Sequence, residues 1–193
     1  LAIIFTVIYF KLDTIMLSLM KTPEDVGIYN LAYKFIESLL FFPAMFVGLI
    51  MPIMSKYAFS NRKKFTKVTR NTFKFFLIII VPLIIGTLLI SNKLVLFIAG
   101  EDFAISASVL NMLVFALAAI FLGVLFSNML IALNQQKKLT YIYGAGAIIN
   151  FSTNLIFIEK YSYYGAAATT ILTEFVVTFL MFIALRRALK KDV

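Results

Sequence analysis

Apolar runs of about twenty residues alternate with short polar stretches along the whole chain. A membrane-spanning helix needs roughly 20 predominantly apolar residues. On that criterion the pattern predicts about six spans, near 1–20, 31–54, 73–92, 106–133, 140–158 and 164–185. The stretch "LVLFIAG" is too short to span and reads as the outer end of the third helix or an interfacial turn. Between the second and third spans, about residues 56–73, the pattern turns amphipathic. Lys63, Lys67, Arg70 and Lys74 fall on one helical face, and Phe65, Val68 and Thr72 on another. This predicts a short helix lying on the membrane surface with its cations toward anionic headgroups.

Composition agrees with the pattern. Hydrophobic residues make up 62% of the chain and charged residues 14%, with a mean hydropathy of +0.99. A soluble domain has about 45–50% apolar and about 25% charged residues. The fold class is therefore an all-α integral membrane protein. There is no Cys and no His, which removes thiol chemistry, disulfides and the usual zinc ligands, so no resident metal or other cofactor is expected. The chain begins with Leu and shows no signal-peptide pattern, and it reads as a piece of a longer protein.

The net charge of +9 points to a membrane rule before it points to nucleic acid, because no base-stacking module accompanies the basic runs. Loops rich in Lys and Arg alternate with neutral ones. "KTPEDVG" and "SNKLVLFIAGEDF" set one Lys against two acids and "EKYSYYG" one against one, whereas the 56–74 linker, "NQQKK" and the tail "RRALKK" are basic. The positive-inside rule then places both termini in the cytoplasm. An even number of spans requires the same.

Five ionisable residues interrupt the apolar spans: Lys11 and Asp13 in "YFKLDTIML", Lys34 and Glu37 in the second span, and Glu174 in the sixth. Each costs about 2.5–3.5 kcal/mol at mid-helix, so each is expected to face the bundle interior or a polar cavity, with snorkelling to the exterior surface an equal explanation for Lys34 and Glu37. Lys11 and Asp13 lie about 200° apart on a helix and cannot pair with each other. Asp13 shares a face with Thr6 and Tyr9. Asn30, Lys34 and Glu37 form a second stripe, Tyr143, Asn150 and Asn154 a third, and Thr170, Glu174 and Thr178 a fourth. Glu37 is expected one to two turns from the exterior loop. Two readings stay open: a polar cavity lined by spans one, two, five and six, or interhelical hydrogen-bonding between ordinary packed helices. Pro43 and Pro82 fall inside spans and are expected to kink them; Pro52 reads as a helix terminator. No nucleophile–base pair, phosphate loop or catalytic carboxylate pair is present, and the chain does not read as an enzyme.

"DTIMLSLMKTPEDVGIYNLAYKFIE" resembles the opening of the second half of prokaryotic polysaccharide flippases, within the multidrug/oligosaccharidyl-lipid/polysaccharide exporter superfamily. "LFIAGEDFAISASVLNML", "IALNQQKK" and "NFSTNLIFIEKYSYYGAAATTILTE" follow in the order of that family's later helices. The resemblance implies the C-terminal six-helix lobe of a two-lobed, twelve-helix flippase in the cytoplasmic membrane. Such a protein moves lipid-diphosphate-linked oligosaccharide by alternating access for cell-surface polysaccharide biosynthesis. The implied partners are that substrate, membrane lipids and a missing N-terminal lobe. It also implies roles for particular residues. Asp13, Glu37 and Glu174 are candidates for lining the cavity and coupling to a proton or sodium gradient. Lys11, Lys34, Tyr9, Asn150, Asn154 and Thr170 are candidates for binding substrate, and Gly27 and Tyr29 match a turn of the motif. The alternatives are a multidrug or peptidoglycan lipid-precursor exporter of the same superfamily and, from another class, a membrane-embedded glycosyl transferase or ligase.

Overall fold

The computed structural model of the chain describes the backbone of residues 2–190 and the side chains of residues 11–190. The candidate Tyr9, with its stripe neighbour Thr6, lies outside the described side chains. Every element among the described residues is helical: α1 (Ala2–Met20), α2 (Pro23–Leu39), α3 (Phe41–Ser60), α4 (Arg62–Ala99), a 3₁₀ turn (Glu101–Phe103), α5 (Ser106–Ala132) and a final stretch Gln136–Lys190.

That last stretch is two helices. Ser162 has φ 49° and ψ −128°, outside any helical region. Asn154 and Thr170, on either side of it, both bond the carboxylate of Asp13. An unbroken helix would hold them about 24 Å apart at 1.5 Å per residue. The chain therefore folds back at Ser162, giving α6 (136–161) and α7 (163–190). The reversal is tight enough that a Cβ on Gly165 would sit 2.0 Å from the Phe157 carbonyl oxygen, so only glycine fits.

Local chemistry explains the other boundaries and corrects four expectations. The second helix begins at residue 23, not 31: the Thr22 hydroxyl accepts from the Asp25 N–H at 3.3 Å, Pro23 occupies the first turn, and Glu24 and Asp25 favour its positive end. Gly27 and Tyr29 are thus helical, and the turn precedes them. Gly27 leaves room for the Phe103 ring, 3.3 Å from where its Cβ would be. The basic linker is not a separate surface helix. Asn61 caps α4 through the Lys64 N–H at 3.0 Å, and the 38 residues that follow form one helix into the membrane. At 1.5 Å per residue α4 is about 57 Å long, well beyond a hydrocarbon core of ~30 Å, so its basic first turns project past the apolar layer. Its far end carries "LVLFIA" as ordinary last turns, stopped by Gly100 at φ 79°. Pro52 lies within α3 and does not end it. Leu40 keeps helical angles (φ −68°, ψ −20°), so α2 and α3 run on as one span with Pro43 just past their junction, while Pro82 lies within a continuous α4.

α5 is apolar on every face and sits at the centre, packed against α2, α3, α4 and the α6–α7 pair. That is the expected place for a helix hydrophobic all round. Small residues bring α7 close: Thr178 donates to the Ala119 carbonyl at 2.8 Å, and a Cβ on Gly123 would meet its hydroxyl at 2.9 Å. α1 packs mainly on the α6–α7 pair and on α2. Pro23–Ser60, Arg62–Ala99, Ser106–Ala132 and Gln136–Lys190 are each long and apolar enough to cross a membrane, and the last holds the two helices of the reversal.

The two ends of the bundle differ in charge. At one, Lys21 donates to the Glu159 carbonyl at 3.0 Å, joining the end of α1 to the end of α6. At the other, Arg62 bonds the carbonyls of Ala58 and Ala188 at 3.2 and 3.5 Å, bringing the start of α4 to the end of α7. This second end carries the basic segments.

Candidate functional site

Four helices place one polar group each at nearly the same depth. Asp13 lies seven residues before the end of α1 and Tyr29 six after the start of α2. Asn154 lies seven before the reversal end of α6, and Thr170 seven after the start of α7. Each is thus about 10 Å from the same end of the bundle. Asn150, one turn further along α6, completes the set.

These groups converge on the Asp13 carboxylate, which is only 3% exposed. Its Oδ1 accepts from Asn150 Nδ2 at 2.8 Å and Asn154 Nδ2 at 2.5 Å. Its Oδ2 accepts from Thr170 Oγ1 at 2.7 Å and Tyr29 Oη at 3.2 Å. Asn154 Nδ2 also reaches Asn150 Oδ1 at 3.0 Å, which fixes the two amides relative to each other. All four donors are uncharged, and among the described residues no cation bonds Asp13. A carboxylate at membrane depth is thereby solvated by dipoles with its charge left uncompensated, an unusual and costly arrangement.

The hydrogen count sharpens this. Tyr29 and Thr170 lie 3.0 Å apart, and Thr170 also lies 2.9 Å from the Ala166 carbonyl. Together with the two contacts to Oδ2, four oxygen–oxygen approaches share two hydroxyl hydrogens. Two of the four approaches are left without a hydrogen. Meanwhile Asn154 Oδ1 is fully buried with no hydrogen-bond partner, beside the carboxylate. Leaving such an acceptor unsatisfied costs about 1–3 kcal/mol. Both asparagines present their Nδ2 groups to the carboxylate, so the oxygens gathered on Asp13 are the hydroxyls of Thr170 and Tyr29 at Oδ2.

The remaining candidates fall into two other places. Lys11 and Lys34 both reach Glu37, at 3.4 and 2.9 Å, in a cluster half open to the surface. Glu37 is therefore the partner of Lys11, and helix geometry alone left that partner undefined. Because α2 starts early, Glu37 lies fourteen residues past Pro23, nearly four turns along the helix and deeper than one to two turns. Thr14 and Asn30 join α1 to α2 one layer away, at 2.8 Å. Glu174 is buried on α7 one turn beyond Thr170. Asn150, Asn154 and Thr170 turn onto Asp13, and none of them lines the grooves beside Pro82, beside Arg187 or beside Arg70.

Sequence reasoning missed Tyr29 as a partner of Asp13. The signal was the buried stripe Ile28, Tyr29, Ala32, Tyr33 and Ile36, which becomes periodic only once the helix is started at Pro23.

The MatE family model matches residues 1–156. Over 166 residues the chain is 24% identical to a protein of Haloferax volcanii described as a probable low-salt glycan biosynthesis flippase, Agl15, covering 86% of this chain and 35% of that protein. The chain thus spans about a third of the length of the curated relative it matches.

Proposed function

Because this chain belongs to the MatE family of membrane transporters, we propose that it forms the C-terminal six-helix lobe of a flippase that exchanges a lipid-linked glycan across the cytoplasmic membrane. In this reading both termini face the cytoplasm, and the lobe acts with an N-terminal lobe of similar size. The glycan assignment rests on the likeness to the Haloferax protein and on the ordered motifs of the sequence.

The buried, uncompensated Asp13 carries the mechanistic part. A coupling ion must bind in one conformation and leave in another, and a carboxylate held by neutral donors alone provides that choice. With a proton or a sodium ion present the site is charge-balanced and stable among its four helices. Without it, the exposed form is favoured. α1 supplies the acid, while α6 and α7 supply most of the ligands, so binding ties α1 to the α6–α7 pair. The unpartnered Asn154 Oδ1 favours sodium, because rotation of that amide directs an oxygen toward a cation next to Oδ1. Glu174, one turn along α7, is the second acid on the path.

The test uses the full-length protein in proteoliposomes loaded with a fluorescent lipid-linked oligosaccharide. A sodium gradient should accelerate flipping, and Asp13→Asn should abolish that acceleration while leaving membrane insertion intact. Acceleration by a pH gradient alone would assign the proton. Asp13→Asn with unchanged gradient response would remove Asp13 from the mechanism.

A further inference from the structure

At the basic end of the bundle the first turns of α6 and the last turns of α7 enclose a groove of about 250 Å³, separate from the Asp13 cluster. Its walls include Lys138, Tyr141 and Ile142 from α6, and Leu180, Ile183 and Arg187 from α7. The spacing is the same on both helices. Ile142 lies four residues inward of Lys138. Ile183 and Leu180 lie four and seven inward of Arg187. Each helix therefore places a cation at the rim and apolar side chains one or two turns deeper, about 5–11 Å toward the membrane centre.

Among the described residues neither cation meets a carboxylate: the ion pairs there are those of Glu37 with Lys11 and Lys34. Arg186 is not a competitor, because its guanidinium stacks on the Phe182 ring at 4.7 Å. Tyr141 is 78% exposed beside the groove, as aromatic residues are at a headgroup layer.

We propose that this groove binds an anionic phospholipid of the surrounding membrane, its phosphate between Lys138 and Arg187 and the start of one acyl chain along Ile142, Leu180 and Ile183. The charge calls for a phosphate, which Arg187 can hold through two parallel hydrogen bonds. The apolar walls call for a chain attached to it, which free phosphate lacks. The basic face of α4 makes an instructive contrast. Its open depression of about 450 Å³ is lined by Arg62, Lys63, Thr66, Lys67 and Arg70, with no aliphatic or aromatic residue among them. It offers diffuse attraction to a negative surface, which salt screens.

The difference can be read by native mass spectrometry of the full-length protein released at high salt from nanodiscs of phosphatidylglycerol or phosphatidylcholine. Wild type should retain one phosphatidylglycerol and no phosphatidylcholine. Lys138→Ala/Arg187→Ala should retain none, at unchanged melting temperature, whereas Lys63→Ala/Lys67→Ala should still retain one. Equal retention of the two lipids by wild type would overturn the proposal, a comparison that needs no variant. So would equal loss in the two double variants.

Discussion

Asp13 and Asn154 stand 141 residues apart in sequence and 2.5 Å apart in space. Asn154 is the clasp between the first helix of the lobe and its closing pair, since its one amide touches both Asp13 and Asn150. Asn154→Leu should lower stability in detergent by about 1–3 kcal/mol, the usual worth of a hydrogen bond to a charged acceptor or of a buried group left unsatisfied. It should also weaken sodium protection against thermal unfolding. Thermal melts of the full-length protein at low and high sodium check both.

Tyr29 and Tyr33 stack at 5.8 Å, yet only Tyr29 bonds Asp13. Tyr29→Phe keeps the ring and removes the hydroxyl, which should cost about 0.5–1.5 kcal/mol and change the ion dependence of flipping. Tyr33→Phe should leave the ion dependence as in wild type. Matching effects from the two variants would show that ring packing is what matters at Tyr29.

Gly165→Ala forces a Cβ to within 2.0 Å of a backbone oxygen at the reversal. The two helices must separate, and folded yield from membranes should collapse. Gly144→Ala makes the useful comparison, because nothing lies within 4 Å of its would-be Cβ. Replacing a mid-helix glycine with alanine there should be neutral or stabilising by up to about 1 kcal/mol. Size-exclusion profiles of the two proteins give the readout.

The Lys11–Glu37–Lys34 cluster carries one net positive charge and lies partly open, with side-chain exposures of 53%, 37% and 78%. A double-mutant cycle on Lys11 and Glu37 should give a coupling below about 1 kcal/mol. If either lysine contacts substrate, Lys11→Ala should lower protection by the lipid-linked oligosaccharide much more than it lowers stability.

Orientation is open to direct measurement. A cysteine at Ser60 should react with an impermeant maleimide only in permeabilised cells, and one at Tyr163 should react in intact cells. The opposite pattern would invert the lobe.

The sequence already carries the spans, because twenty-residue apolar runs are a length constraint imposed by the bilayer. It also carries the inward faces of Asp13, Asn150, Asn154 and Thr170, because a helix fixes which residues share a side. What it does not carry is which stripe meets which. Asn150 and Thr170 read equally well as lining a cavity, and only the packing of α1 against the α6–α7 pair aims them at one carboxylate. The length of α4 was hidden for another reason. Lys63 to Lys74 and the apolar run after them differ in polarity but not in helical periodicity, so a change of solvent looks like a change of element. Gly165 had no local signal, since the backbone it must avoid belongs to the previous helix.

The wide sequence separation of the Asp13 cluster has a consequence for biogenesis. α1 leaves the ribosome about 140 residues before Asn154 does. At ~5–20 residues per second that is roughly 7–28 s. During most of this interval the bonding partner already made, among the described residues, is Tyr29, sixteen residues downstream of Asp13. That contact is available to hold α1 to α2 before the rest is made, and the arrival of α6 and α7 completes the set. A lobe truncated before Asn150 would retain the acid with a single hydroxyl beside it, which makes it a natural substrate for membrane quality control.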